Sequence, residues 1–242
     1  MAHKGYVIER YNSPLLEKPR SYAIYHPDAG ATDSHPILFL HGAGQVGDRI
    51  AAAAERHGPR RDARRPERTF TTIVPQLPKS LWGNVGWRGF DRDIDAILKD
   101  VAQKYHVDDS RPYLTGLSLG ALGAWDIGAS GLREWSAIAS FAGGATKGSD
   151  LVKVAAALGR IPVWAFVNLR ETKPDLTRGT LASVDALESA GGDVRYTYYH
   201  NIWPRHNCWS RAYRGERCAS VSAGKPNAPQ TVYDWFANAG NP

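Results

Sequence analysis

Eight short apolar or β-branched runs recur along the chain, over residues 5–11, 21–26, 37–40, 69–74, 113–115, 137–141, 161–167 and 194–199. Most stop at a Gly, Pro or Asn, the residues that end extended segments in turns. Helical periodicity fills the later intervals. Phe90, Ile94, Ile97, Leu98, Val101 and Tyr105 share one face of a helix over 90–104. Further helices are expected over 119–129 and 180–190. A closing helix is expected over 229–238, with Val232, Trp235 and Phe236 inward. Strands that alternate with helices build parallel βαβ units. The expected fold class is therefore α/β, a mostly parallel central sheet with helices on both faces and an antiparallel opening pair. Such sheets carry their active residues beyond the strand C-termini.

The length is 242 residues, 43% apolar and 22% charged, without repeats or a low-complexity linker. That suits a single domain spanning 1–242. Two cysteines, Cys208 and Cys218, cannot make a disulfide scaffold or a four-thiolate zinc site; one bridge or two thiols fit equally. The opening Met1-Ala2-His3-Lys4-Gly5 has no apolar leader core, so the chain as given reads as cytoplasmic, and as secreted if a leader was removed. The longest weakly charged stretch, 112–132, holds Asp126 and five glycines and is a poor membrane span, so no membrane insertion is expected.

Gly116-Leu117-Ser118-Leu119-Gly120 lies between the run 113–115 and the helical stretch that follows. In that context the pattern marks a serine on a tight strand-to-helix turn, with glycines where strand and helix approach closely. The helix start then aims its dipole at developing negative charge. A second donor is expected from His41-Gly42-Ala43-Gly44, after the first buried run. The candidate oxyanion-hole amides are those of Ala43 and Leu119, and His41 reads as a structural loop residue. The same loop is a poor phosphate cradle, since no Gly-Lys-Ser/Thr follows. The base should be a late histidine. His206, in Pro204-Arg205-His206-Asn207-Cys208-Trp209, fits; His200 reads as structural. A zinc site from His200, His206 and Cys208 matches no common spacing, so no metal site is implied.

These segments, with 190–197 and the closing Tyr233-Asp234-Trp235-Phe236, resemble α/β-hydrolases of the dienelactone hydrolase and polyhydroxybutyrate-depolymerase-like esterase group, from about residue 36 to 236. The resemblance implies an eight-stranded-type sheet, a Ser–His–acid triad and ester hydrolysis without a cofactor. It implies Ser118 as nucleophile, His206 as base, and the amides of Ala43 and Leu119 as oxyanion hole. The group usually places His-Gly-x-x-Asp after the run 161–167, and its Asp orients the histidine. Here Val167 and Asn168 replace the His and Gly, and Glu171 stands in for the Asp, with Asp175 as the alternative acid. Ala121 replaces another frequent glycine.

Three functions follow from these residues. The first is a carboxylesterase acting on small or polymeric esters. The second is a catalytically weakened hydrolase fold used for binding, motivated by the altered acid loop. The third is a peptidase or amidase with the same triad. Trp82, Trp87, Trp203 and Trp209 are loop aromatics that could line a substrate pocket, whereas Trp125, Trp164 and Trp235 fall on core faces. No long helical insertion suggests a cap domain, so an open site is expected. The net charge of +6 raises the question of nucleic acid. Six arginines among residues 56–68, against Asp62 and Glu67, supply +4 of it. Without interleaved aromatics that segment reads as a solvated connection, and no nucleic-acid partner is expected.

Overall fold

The computed structural model describes residues 5–26, 35–59, 70–83, 85–200 and 202–239. Their strands are β1 Val7–Ser13, β2 Lys18–Tyr25, β3 Ile37–Leu40, β4 Thr72–Val74, β5 Tyr113–Leu117, β6 Ala137–Phe141, β7 Val163–Asn168, β8 Val194–Tyr199, β9 Cys218–Ser222 and β10 Lys225–Gln230. The helices are α1 Ile50–Glu55, α2 Asp91–Tyr105, α3 Leu119–Gly128, α4 Leu151–Leu158, α5 Pro174–Ser189, α6 Ser210–Tyr213 and α7 Val232–Ala239. The strands form one sheet in the order β1-β2-β4-β3-β5-β6-β7-β8-β9-β10. Its centre, from β4 through β8, is parallel, and both edges are antiparallel.

Period-two alternation on β3 explains the layers. Leu38 and Leu40 enter one apolar cluster, with side chains of α2, α3, α4 and α5. Ile37 and Phe39 enter the other, with α1, α6 and α7. Helices thus cover both faces, and near-continuous hydrophobic strands such as β3, β5, β6 and β7 are what double burial demands. The expected α/β architecture is the observed one. Among the described residues no long helical insertion stands over the strand ends, and no helix is long and apolar enough to cross a membrane.

Several boundaries differ from expectation. The sheet has ten strands rather than eight. β9 and β10 add an edge hairpin that the sequence hides, because Pro226 and Pro229 argue against a strand. Proline lacks a ladder donor and is tolerated at an edge, where one side needs no partner. Residues 229 and 230 therefore belong to β10, and the closing helix starts only at Val232. α5 begins earlier than residue 180, at Pro174, a first-turn position where proline loses no helical bond. The start of α4 is capped by Asp150, whose carboxylate accepts the N–H groups of Val152 and Lys153. Cys208 and Cys218 are two separate buried thiols. Of the basic segment 56–68, residues 60–68 lie outside the described residues.

Candidate active site

β3 and β5 are parallel neighbours, with Leu40 opposite Gly116. Their ends deliver the His41 loop and the Ser118 turn side by side. A Cβ on Gly116 would lie 2.1 Å from the Gly120 carbonyl oxygen, and one on Gly120 would lie 2.0 Å from that of Leu40. Both obstacles are backbone, so only glycine lets β5, the turn and α3 pack this closely. Ser118 sits between them at φ 53°, ψ −116°. A non-glycine residue held there stores strain of about 1–3 kcal/mol. Its N–H donates to the Phe141 carbonyl (2.8 Å), which ties the turn to β6. Ala121, where a glycine is frequent, places its methyl against Gly143, whose own Cβ would come within 2.9 Å of it.

Ser118 is 8% exposed. Its Oγ lies 3.0 Å from Nε2 of His206, and Nδ1 of His206 lies 2.8 Å from Oε2 of Glu171. The carboxylate can only accept, so Nδ1 carries the hydrogen and Nε2 is free to accept the Ser118 hydroxyl. The Glu171 side chain is 1% exposed. Its second oxygen accepts from the Thr172 hydroxyl (3.0 Å) and the Lys173 N–H (3.1 Å). Trp209 meets the His206 ring edge-on, with centroids 5.2 Å apart. Cys208 beside it is fully buried, and burial raises its thiol pKa, so it stays protonated and acts as packing.

The structure therefore brings Ser118, His206 and Glu171 together and leaves Asp175 out. Asp175 lies in the first turn of α5, exposed and paired with Arg178. His200 is exposed beyond β8, its ring edge-on to Tyr198. Among the described residues no three His, Cys, Asp or Glu side chains are grouped as a metal site would need.

Ala43 opens a single 3-10 turn, Ala43–Gln45, and Leu119 opens α3. Both amides occupy helical first-turn positions, whose N–H groups lack an intrahelical acceptor. The close pass of Gly120 against Leu40 and His41 sets the two turns next to each other. The Gln76 side-chain amide donates to the Gln45 carbonyl (2.7 Å) and the Gly47 N–H to the Leu77 carbonyl (3.0 Å), pinning the loop from behind.

His41 is the structural residue expected, and its chemistry is defined. It is fully buried, and Nε2 accepts the Leu77 N–H at 3.1 Å. The hydrogen then sits on Nδ1, 2.7 Å from the Gly42 carbonyl. Burial lowers its pKa from 6.5 to about 4, against the raising effect of that carbonyl. The folded protein thus holds His41 neutral while the unfolded chain protonates near 6.5. From pH 6.5 down to about 4 the unfolded state binds a proton that the folded state refuses. Stability should fall across that window as the pH falls, by on the order of 3 kcal/mol. Urea melts at pH 7, 5.5 and 4 check this. A non-titrating His41→Gln variant should show a flatter dependence, and an unchanged slope would refute the assignment.

The four loop tryptophans separate. Trp87, expected at a pocket, is 1% exposed, donates its indole N–H to the His41 carbonyl (3.2 Å) and packs over Gly123. It is a wedge between loop and α3, because Gly123 leaves the helix surface open to the ring. Trp209 is also largely buried. Trp82 is 54% exposed on the loop that approaches Leu119 through Gly86. Trp203 is 81% exposed and lines an open cleft of about 620 Å³ with Pro204, Asn207, Arg211 and Arg214, on the loop that carries His206. Sequence reasoning missed Asn168, Thr172 and the Lys173 amide. Asn168 did leave a signal, a buried-strand polar residue where the resembled pattern has glycine.

No protein-family model matches the chain, and no curated protein matches it. Solved structures do. A thermostable esterase superposes with a TM-score of 0.69 at 22% identity, over 97% of this chain and 63% of its own. This chain therefore spans under two thirds of that protein's length. A thermostable carboxyl esterase from Bacillus coagulans gives 0.61 at 13% identity, over 85% and 92%. An acylaminoacyl peptidase from Pyrococcus horikoshii gives 0.62 at 11% identity, over 88% and 39%. The chain has the α/β-hydrolase fold, and the structures that share it here include proteins named as esterases and one named as a peptidase.

Proposed function

We propose that the chain is a serine hydrolase that cleaves carboxylic esters through an acyl-enzyme. The observation that carries this reading is the hydrogen-bonded series Glu171–His206–Ser118, 2.8 and 3.0 Å long, ending on the strained turn between β5 and α3. Ser118 Oγ attacks the ester carbonyl carbon as His206 Nε2 takes its proton. Glu171 holds the Nδ1–H tautomer and stabilises the imidazolium. The N–H groups of Ala43 and Leu119 donate to the tetrahedral oxyanion. The alkoxide leaves with the proton from Nε2, giving an alcohol and acyl-Ser118. Water, deprotonated by the same nitrogen, attacks the acyl carbon, and the carboxylic acid leaves as the proton returns to Ser118.

Ester rather than amide cleavage is the reading the structural neighbours favour, since two of the three named are esterases. Trp82 and Trp203 stand exposed on the surrounding loops, and no cap insertion was found among the described residues. Such a rim suits bulky or polymeric esters. The binding-protein reading drew on the altered acid loop, and the 2.8 Å contact to Glu171 speaks against it.

Labelling with a fluorophosphonate followed by peptide mapping tests the reading. The expected result is a single modification on Ser118, blocked by prior denaturation. Folded protein that stays unlabelled while hydrolysing no ester of an aryl, short-chain and polyester panel would overturn it.

A further inference from the structure

Asn168 is the last residue of β7 and is fully buried. Its side-chain Nδ2 donates to the carbonyls of Ile202 (3.2 Å) and Arg205 (2.7 Å), and its Oδ1 accepts the Arg170 N–H (3.2 Å). Its main-chain carbonyl accepts the Glu171 N–H (3.1 Å) and the Thr177 hydroxyl (3.1 Å). Two loops converge on this one residue. One holds Glu171. The other holds His206, whose peptide begins at the Arg205 carbonyl that Asn168 grips.

We infer that Asn168 is a positioning residue that locks the acid loop to the histidine loop and so sets the Glu171–His206 contact. The inference rests on the proposed Ser118–His206–Glu171 chemistry. The physical argument begins with the acid. A glutamate reaches one methylene further than an aspartate, so its backbone must stand further back from the imidazole. A glycine at 168 would leave the space between the loops empty. The Asn amide fills it with two donors and one acceptor, each matched to a backbone group of the two loops. The amide is planar and short, so these bonds fix distance and angle together. Displacements of about 1 Å at a reacting geometry can reduce turnover roughly 100-fold.

The test compares Asn168→Ala and Asn168→Ser with a Thr197→Val control. Thr197 on the adjacent strand hydrogen-bonds to Trp164 and Ala219, residues of neither loop, so it serves as the control for loss of stability. Assays run well below the lowest Tm. Both Asn168 variants should lose about 10- to 100-fold in kcat with KM changed little. The acid limb of their pH–rate profile should move to lower pH, because a loosened Glu171 stabilises the imidazolium less. The downfield Nδ1–H proton resonance of His206 should weaken, a readout that needs no turnover. Thr197→Val should keep kcat, the pH limb and the resonance. The clamp is overturned if folded Asn168 variants keep all three within twofold of the parent, or if Thr197→Val loses as much. Where Asn168→Ala fails to fold, Asn168→Ser and Thr177→Val are read by the same criteria. Failure of the underlying reading looks different: the parent protein would then neither turn over ester nor label at Ser118, while the resonance still reports the clamp.

Discussion

Ser118→Ala should lower ester turnover by about 10⁴- to 10⁶-fold while moving Tm by only a few degrees. The asymmetry comes from the site. In the proposed mechanism the acyl group is carried on Ser118 Oγ, so its removal leaves only binding and the backbone donors. The same change deletes one oxygen at a position 8% exposed and breaks a single hydrogen bond to His206, worth about 1 kcal/mol. The strained φ of 53° persists, since alanine and serine share a Cβ. Steady-state kinetics and a thermal melt on the same preparation check it. Residual activity within tenfold of the parent would place the nucleophile elsewhere.

Glu171→Gln should lower kcat by roughly 10³- to 10⁴-fold, and Asp175→Asn should change it by less than twofold. The amide keeps the shape of Glu171 but has no charge to stabilise the imidazolium. It can also turn its NH₂ toward Nδ1 and favour the tautomer that puts hydrogen on Nε2, where it would clash with the Ser118 proton. The Thr172 hydroxyl and Lys173 N–H that hold the other oxygen remain to accommodate it. Asp175 is 72% exposed and salt-bridged within one helical turn, a pairing worth little. Glu171→Asp should fall between these outcomes, because its carboxylate stops one methylene short of His206. Parallel pH–rate measurements check the series; equal losses at 171 and 175 would overturn the assignment.

How much was legible beforehand depended on the range of the interactions. The strand Ile37–Leu40 and the strand–turn–helix around Ser118 could be read because periodicity and glycine spacing are local. β10 could not, since its prolines are tolerated only by virtue of an edge position that the fold assigns. Trp87 was misplaced for the same reason. Its loop composition suggested a pocket wall, yet Gly123, 36 positions away in the chain, opens a slot in α3 that the indole fills.

The acid was the hardest choice from sequence. Glu171 and Asp175 stand four residues apart, and nothing local distinguishes a carboxylate facing a histidine from one facing solvent. The distinction depends on where Asn168 ends its strand and on what the amide then grips.

The sequence by itself determined the parallel α/β sheet, the turn at Ser118 and the loop of His206, because these follow from hydrophobic period, glycine sterics and chain order. Only the tertiary structure decided that Glu171 meets His206, that Trp87 is core and Trp203 is not, and that His41 is held neutral. Those outcomes depend on desolvation and on hydrogen bonds between residues tens of positions apart, and a linear pattern carries no record of either.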